Sequence, residues 1–228
     1  MSVTQEHQRT DVFGVSVEQV HTAEDTWDAR RLHADVYLER HYVEPPDLRG
    51  GVLSADVDPW AGNSTYFIAR DHHRHAVGVG RQIQFDDPGR LPAMSLSRLD
   101  DGERRHVLRQ GGRAVVEISA LAVRRHAPRF TSLALYAAMW RRSIEQEHTA
   151  WVMAIHPSLA RSIVGSLGPV ISPLGPPQWF MGSDVIPGII WTDRGAGIVA
   201  STAAGHRIAP LRTRLPELFP ENPTERRP

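Results

Sequence analysis

The stretch Ala114–His148 constrains the fold more than any other part of the chain, because it reads as a strand, a turn and a helix in that order. Its first part is rich in branched apolar residues, which favour a pleated, half-buried surface: Val115, Val116, Ile118 and Val123. Glu117 and Ser119 interrupt this run on alternate positions. The alternation predicts a strand whose carboxylate and hydroxyl side chains leave it on one face.

A basic turn and a helix follow this strand. Pro128 ends the strand, and apolar residues at helical spacing then predict a helix to about residue 148: Leu133, Ala137, Trp140 and Ile144. The N–H groups of a first helical turn have no partner within the helix, so a turn that leads into a helix can bind an anion. We therefore predict an anion-binding corner close to the carboxylate of Glu117.

The composition excludes several kinds of chemistry. The 228 residues include no Cys, which excludes disulfides, thiolate metal sites and cysteine nucleophiles. All 26 basic residues are Arg, so a lysine nucleophile or Schiff base is excluded as well. The 26 acidic residues balance the basic ones, and no global charge indicates nucleic acid or a membrane surface as partner.

The chain also lacks the apolar segments that would place it in a membrane. No apolar run approaches the ~20 residues that span a bilayer. Met1–Thr10 is polar and lacks the apolar core of a signal peptide. We therefore expect a soluble, cytoplasmic protein without a membrane span.

The order of the remaining elements predicts the fold class. A strand at 13–20 and a helix at 24–42 precede a loop at 47–63, after which strands at 64–70 and 76–85 form a hairpin. Residues 86–112 look irregular apart from one helical turn, and a strand at 151–155 and a helix ending near 167 follow the opening stretch. Hairpins followed by alternating strands and helices are typical of a mixed sheet in an α/β sandwich.

The ends of the chain are predicted to lie outside this sandwich. Prolines break Val170–Trp191, which predicts one or two short strands and loops, and Ala196–Leu218 is weakly patterned. We predict a disordered arm at 1–11, a single domain at 12–215 and a flexible tail at 216–228.

Four motifs occur in an order that is typical of one enzyme family. They are Val36–Arg40 on the first helix, Asp58 before the strand Ser64–Arg70, Gly78–Arg81 on the next strand, and Val116–Val123 on the strand of Glu117. The chain resembles the GNAT acyltransferase superfamily, and within it the branch of autoinducer synthases and long-chain N-acyl amino acid synthases. His156-Pro157 adds a looser likeness, and the resemblance covers about residues 29–170.

This resemblance implies a fold, an activity and a set of site residues. The fold is a GNAT-like mixed, mostly antiparallel central sheet flanked by helices. The activity is N-acyl transfer from a pantetheine thioester, on acyl carrier protein or coenzyme A, to the amine of an amino-acid-like acceptor, with no tightly bound cofactor. Glu117 would be the base, and Arg81, Asp58, Ser119 and His156 would bind substrate. The donor would contact Leu121, Val123, Arg124, Arg125, Arg129, Thr131 and Ser132, with the strand N–H groups at 121–123 meeting the thioester oxygen.

Three departures from the family pattern bear on the donor and the acceptor. Ala120 stands at the signature Arg of the autoinducer synthases, which favours an N-acyl amino acid synthase over a lactone-forming enzyme, and His33 stands where the first helix carries Arg. The phosphate turn, 125–131, lacks both of its usual glycines, so its backbone cannot approach a pyrophosphate closely. An acyl carrier protein, acidic and with a single phosphodiester, is an alternative donor that would suit the neighbouring arginines, although these arginines could equally be solvated.

Each candidate residue also has a structural alternative. Glu117 could face solvent or pair with an arginine, Arg81 could pair with Glu117, and Asp58 could cap a turn. The histidines at 72, 73 and 75 invite a metal site, but they lie in a turn and adjacent side chains there point apart. Trp179 and Phe180 could line an acyl tunnel or pack in the core.

A second hypothesis about function keeps the fold but removes the catalysis. The helix after His156 has Ile163 near the place of the general-acid tyrosine of many GNAT enzymes. Without that acid, the chain could be an inactive GNAT-like module that binds an acyl thioester or a partner protein.

Overall fold

The computed structural model describes residues 10–12 and 14–221, and these form eleven strands and six α-helices. In chain order, strands β1 to β11 are Thr10–Val12, Val15–Gln19, Leu48–Arg49, Val52–Leu53, Ser64–Arg70, Ala76–Ile83, Val115–Val123, Ala150–Ile155, Ser172–Pro173, Gln178–Phe180 and Ser183–Trp191. Helices α1 to α6 are Ala23–Glu39, Asp101–Arg109, Thr131–Glu145, Pro157–Leu167, Thr192–Ala204 and Ala209–Leu218. The predicted class, a mixed and mostly antiparallel sheet flanked by helices, is confirmed.

The chain divides into two compact units. The first unit comprises Met1–Arg81 and Ala120–Met139, and the second comprises Gln82–Ser119 and Trp140–Pro228. The order β1-β2-β5-β6 holds in the first unit, where β3 and β4 form a separate hairpin. In the second unit β8 runs parallel to β7 and antiparallel to β11, which also pairs with β9 and β10. The single domain predicted at 12–215 stays a prediction.

Helix α1 packs on the sheet of the first unit through a short apolar stripe. Thr22 caps the helix, because its hydroxyl accepts a hydrogen bond from the backbone N–H of Asp25 at 3.0 Å. The stripe and the strand residues that it covers are buried together: Ala29, Leu32, Val36, Tyr66, Val79 and Ala122. Burial of a Leu or Val side chain contributes about 1.5–3 kcal/mol, so this stripe fixes the face that α1 turns to the sheet.

Two glycines on β6 permit close packing within the first unit. A Cβ at Gly78 would lie 2.8 Å from Thr131 Cγ2 and 3.3 Å from Val123 Cγ2. A Cβ at Gly80 would lie 3.1 Å from Met139 Cε. Helix α3 and the end of β7 therefore approach β6 so closely that a Cβ at Gly78 would force a shift and one at Gly80 would be tight, which is a packing reason for the Gly-x-Gly spacing.

The prediction of short strands and loops in Val170–Trp191 is wrong for its last part. Ser183–Trp191 forms the nine-residue strand β11, which pairs with β8 from Ile186↔Ile155 to Trp191↔Ala150. Pro187 is tolerated there and offers its carbonyl to the N–H of Leu174. Gly188 is required, since a Cβ would lie 2.8 Å from Ile171 Cγ2. Both residues are usually read as strand breakers, although here they fit the local packing.

Several predicted boundaries also move. Helix α1 ends at Glu39 rather than near 42, α2 is a nine-residue helix rather than one turn, and Ala196–Leu218 belongs largely to α5 and α6. The predicted loop at 47–63 contains the β3-β4 hairpin, whose turn uses Gly50 and Gly51 at positive φ. Residues 10 and 11 of the predicted arm belong to β1, and 216–218 of the predicted tail belong to α6. The rest of the arm at 1–9 and of the tail at 222–228 lies outside the described residues.

Candidate active site

A buried ion pair forms the polar centre of the first unit. Arg81 Nη1 donates to both carboxylate oxygens of Asp58, at 2.8 and 2.6 Å, and both side chains are 3% exposed. The hydroxyl of Tyr66 lies 3.4 Å from the same nitrogen. Burial lowers the pKa of Arg81, but attraction to Asp58 and Tyr66 outweighs burial, and the pKa is raised overall. Asp58 therefore holds Arg81 in its charged form, whereas a capping role for its side chain had been the structural alternative.

His33 is buried on the inner face of α1. Its side chain packs edge-on against Tyr37, with 4.2 Å between ring centroids. Burial first, and then the positive charges of Arg81 and Arg30, hold the pKa of His33 well below its ordinary value. His33 is thus a neutral imidazole at neutral pH.

Glu117 is the buried carboxylate of the second unit. The residue is 2% exposed, and its Oε2 accepts a hydrogen bond from the backbone N–H of Ala93 at 2.7 Å. Ala93 belongs to a short 3₁₀ helix, Pro92–Ser95, within a segment that the sequence predicted to be irregular. The alternative of a solvent-facing Glu117 is excluded, and one carboxylate oxygen has a fixed orientation.

The β-ladder stops next to Glu117. The parallel register of β7 and β8 runs from Val115↔Ala150 to Glu117↔Val152, although β8 continues to Ile155. Ser119, two residues further along β7, is half-buried. The next residue, Ala120, has φ of +47°, a left-handed conformation that is rare for a non-glycine residue within a strand and is often associated with a functional constraint. In the second unit the pairing of β7 with β8 therefore ends beside a buried carboxylate.

The predicted donor-binding turn contains arginines of two kinds. Arg124 is half-buried, lies 3.1 Å from Asp35 and 3.9 Å from Glu39, and is therefore already neutralised by α1. Arg125 and Arg129 are exposed, and the guanidinium of Arg129 lies over the ring of Phe130. Among the described residues of this turn, Arg125 and Arg129 are the better candidates for an anionic partner.

The other predicted donor-binding residues pack within the first unit. The hydroxyl of Thr131 donates to the carbonyl of Pro128 at 2.8 Å, which closes the turn before α3, and Ser132 is half-buried in the first turn of α3. Leu121 and Val123 are half-buried, and their side chains approach Gly80 and Gly78. A role for their backbone N–H groups toward the thioester stays a prediction.

His156 and Trp179, two further candidate residues, are both exposed. His156 is exposed and caps α4, since its Nδ1 accepts a hydrogen bond from the N–H of Ser158 at 3.2 Å. Trp179 is 70% exposed on β10, so it does not pack in the core, and Phe180 is half-buried. A role of these residues in an acyl tunnel stays a prediction. A substrate contact by His156 stays a prediction.

The histidines of the β5–β6 turn do not form a metal site with other described residues. Within residues 10–12 and 14–221, no group of three His, Cys, Asp or Glu side chains is arranged to hold a metal ion. The N–H groups of His73 and His75 instead donate to Asp71. No helix among the described residues is long and apolar enough to cross a membrane.

A second buried histidine stabilises the second unit only when it is neutral. His148 Nδ1 lies 3.2 Å from Ser143 Oγ, and its Nε2 lies 3.2 Å from the amide nitrogen of Gln84, which donates to the carbonyl of Arg113. An amide nitrogen can only donate, so His148 Nε2 must accept and the imidazole must be neutral. Burial first, and then Arg142, lowers the pKa of His148 to about 4.

We expect the stability of the protein to fall as the pH falls from 7 to 5. His148 binds its proton near pH 6.5 when unfolded but near pH 4 when folded, so between these values the unfolded state holds more protons. The stabilisation is complete above pH 6.5 and is lost as the pH falls toward 4, on the order of 3 kcal/mol for His148. His33 acts in the same direction. Urea unfolding at several pH values measures this slope, which should be smaller in His148→Gln; equal slopes in both proteins would contradict the assignment.

Comparison with known proteins finds a protein family whose model matches more than half of the chain. The model of the family described as FeeM, N-acyl amino acid synthase, matches residues 28–164. None of the curated proteins compared with the chain matches it. Among solved structures, FeeM from uncultured soil microbes superposes with a TM-score of 0.62 at 13% identity, covering 80% of this chain and 93% of that one.

Two autoinducer-type structures share the fold as well. BjaI, a CoA-dependent acyl-homoserine lactone synthase, gives a TM-score of 0.57 at 18% identity and covers 79% of this chain and 82% of its own. TofI, in a complex with an inhibitor and MTA, gives 0.56 at 17% identity, with 90% and 100% covered. At these identities the structural likenesses establish the fold, whereas the family match spans more than half of the chain.

The sequence did not predict two contacts of the site, those of Ala93 and Tyr66, and it indicated His33 without its burial or charge state. The Ala93 N–H that orients Glu117 is a backbone group, so no side-chain pattern signals it. Tyr66 lies on a predicted strand, but its contact with Arg81 depends on the register of β5 and β6. His33 was noticed as a departure from the family pattern, although its burial and neutrality could not be read from the sequence.

Proposed function

Since the chain belongs to the FeeM family of N-acyl amino acid synthases, we propose that it transfers an acyl group from a pantetheine thioester to the amine of an amino acid. The observation that carries this proposal is the family match over residues 28–164, which includes Asp58, Arg81 and Glu117. N-acyltransferase activity with a thioester donor and an amine acceptor follows from the family itself. An enzyme is therefore favoured over the inactive binding module.

Glu117 is the proposed general base. Its carboxylate removes a proton from the acceptor ammonium or amine, directly or through a water molecule, as the nitrogen attacks the thioester carbon. The C–N bond forms, the C–S bond breaks, and the pantetheine thiolate leaves and takes up a proton. The hydrogen bond from Ala93 supports this role, because it orients one oxygen of the carboxylate.

The end of the β7–β8 pairing beside Glu117 is the proposed place for the thioester. Backbone N–H groups near residues 121–123 would meet the oxygen that becomes negative in the tetrahedral intermediate. The left-handed conformation of Ala120 supports this arrangement, because a non-glycine residue adopts such a conformation only where the surroundings impose it.

The proposed donor is an acyl carrier protein rather than coenzyme A. The turn at 125–131 lacks the glycines that bring a backbone close to a pyrophosphate, and Arg124 is already paired with carboxylates of α1. Arg125 and Arg129 remain exposed for an acidic protein surface.

A thiol-release assay tests both the activity and the donor. Acyl carrier protein and coenzyme A, each carrying the same acyl chain, are offered with a panel of the common amino acids. We expect the wild type to release thiol with a lower KM for acyl carrier protein than for coenzyme A. In Arg125→Gln/Arg129→Gln the KM for acyl carrier protein should rise by at least about fivefold and should depend less on salt. Arg161→Gln, an exposed arginine on α4, serves as the control.

The possible results separate the parts of the proposal. Absence of thiol release with every pair would overturn the proposed activity. Release with coenzyme A alone, or an equal KM in the double variant, would overturn the assignment of the donor while leaving the acyl transfer intact.

A further inference from the structure

The Nε2 atom of His33, in the first unit, is buried without a hydrogen-bond partner. His33 is 2% exposed, and its Nε2 makes no hydrogen bond in the structure. A buried polar group without a partner costs about 1–3 kcal/mol, and such groups in native proteins usually have a specific reason. A core residue serving only to pack against Tyr37 would incur this cost with no compensating contact.

The charges that act on His33 indicate which kind of ligand group would bind to its imidazole. Arg81 and Arg30 are the two charged residues whose fields act on the imidazole, and both disfavour its protonation. Arg30 precedes His33 by three residues on α1, so the two side chains share one face of the helix, and Arg30 is half-buried. The electrostatic potential at the imidazole is therefore positive, which attracts an anion and repels a cation.

Asp58 is paired with Arg81, to which it makes two short hydrogen bonds. Its carboxylate is not among the charges that shift the pKa of His33, which are those of Arg81 and Arg30. An incoming anion would meet an uncharged imidazole on which both arginines act.

We propose that His33, together with Arg30 and Arg81, forms the subsite that binds the carboxylate of the amino acid acceptor. This inference rests on the proposed function and identifies the acceptor as one that keeps its carboxylate free. The neutral imidazole donates one hydrogen bond from Nε2, while the arginines supply the positive charge. His33 is then a substrate-binding residue rather than a base, since proton removal belongs to Glu117.

The experiment compares each amino acid with its amide, which differs only in losing the negative charge. Binding to the wild-type enzyme without donor is measured by saturation-transfer NMR or calorimetry over the common amino acids, and steady-state kinetics follows for the best acceptor. His33→Phe keeps an aromatic ring against Tyr37 but removes both nitrogens, whereas His33→Gln keeps a donor. Arg30→Gln tests the field without altering the core.

The expected result is a loss that depends on the carboxylate. His33→Phe should weaken binding and raise the KM of the amino acid by about 10- to 100-fold with little change in kcat, and should leave the weak binding of the amide unchanged. His33→Gln should recover most of the affinity, and Arg30→Gln should reduce the preference for acid over amide by a few-fold. Equal losses for acid and amide, or a preference unchanged in all three variants, would overturn the proposal.

Two further comparisons complete the test. The first shows whether the anion bound at His33 is the acceptor's carboxylate or the donor's phosphate, and the second separates failure of the subsite from failure of the acyl transfer. A donor series with and without the phosphodiester compares acyl carrier protein with an acyl thioester of N-acetylcysteamine; a His33→Phe effect confined to the phosphate-bearing donor would overturn the assignment to the acceptor. If no thiol is released but the wild-type protein binds amino acids more tightly than amides and His33→Phe abolishes this difference, the proposed activity fails while the subsite stands.

Discussion

The variant Glu117→Gln should lose acyl transfer by about 10²- to 10⁴-fold in kcat while binding the acyl donor as the wild type does. The amide has the shape of the carboxylate, and its oxygen can still accept the hydrogen bond from Ala93 that fixes the side chain. The change therefore removes the ability to take a proton and leaves the local geometry in place. Thiol release under saturating donor and acceptor measures the rate, and titration with a non-reactive donor analogue measures binding.

Glu145→Gln provides the matched control for this variant. Glu145 is exposed at the end of α3, and the same substitution there should leave the rate unchanged. Glu117→Asp adds a graded test, because it keeps a base but withdraws it from Ala93. Full activity in Glu117→Gln would show that another group takes the proton, and a collapse of donor binding would assign Glu117 a structural role.

The sequence predicted the parts of the fold that depend on local pattern. Branched residues around Glu117 predicted its strand, and the helical spacing from Leu133 to Ile144 predicted α3. The length of strand β11 was not predicted, because Pro187 and Gly188 normally break strands. Their tolerance depends on Leu174 and Ile171, which approach only after the chain has folded.

The site residues were predictable as residues but not as pairs. Arg81 had two possible partners in the sequence, Glu117 or a ligand, and the structure adds Asp58, which precedes it by 23 positions. That contact depends on the path of 47–63, where turn geometry rather than hydrophobic pattern sets the conformation. The pKa of His33 likewise follows from burial and from the field of Arg81 and Arg30, which the sequence alone does not reveal.

Breaking the ion pair between Asp58 and Arg81 should lower the free energy of unfolding more than the other substitutions described. Asp58→Asn leaves the guanidinium of Arg81, 3% exposed, against a neutral amide, and we expect a loss of about 3–5 kcal/mol in the free energy of unfolding. Glu18→Gln is the control in the same unit, since Glu18 is 24% exposed in its pair with Arg70, and about 0–1 kcal/mol should be lost there. Urea unfolding at pH 7 measures both.

Replacing both partners separates stability from function. In Asp58→Leu/Arg81→Met both charges of this pair are removed, so the double variant should recover most of the stability that Asp58→Asn loses. It should nevertheless bind the amino acid acceptor poorly, because Arg81 supplies part of the positive field at His33. A double variant as unstable as Asp58→Asn would mean that the pair is needed for packing, and one that keeps full acceptor affinity would contradict a binding role for Arg81. Stability regained without affinity would indicate that the first unit retains this costly buried charge for the substrate.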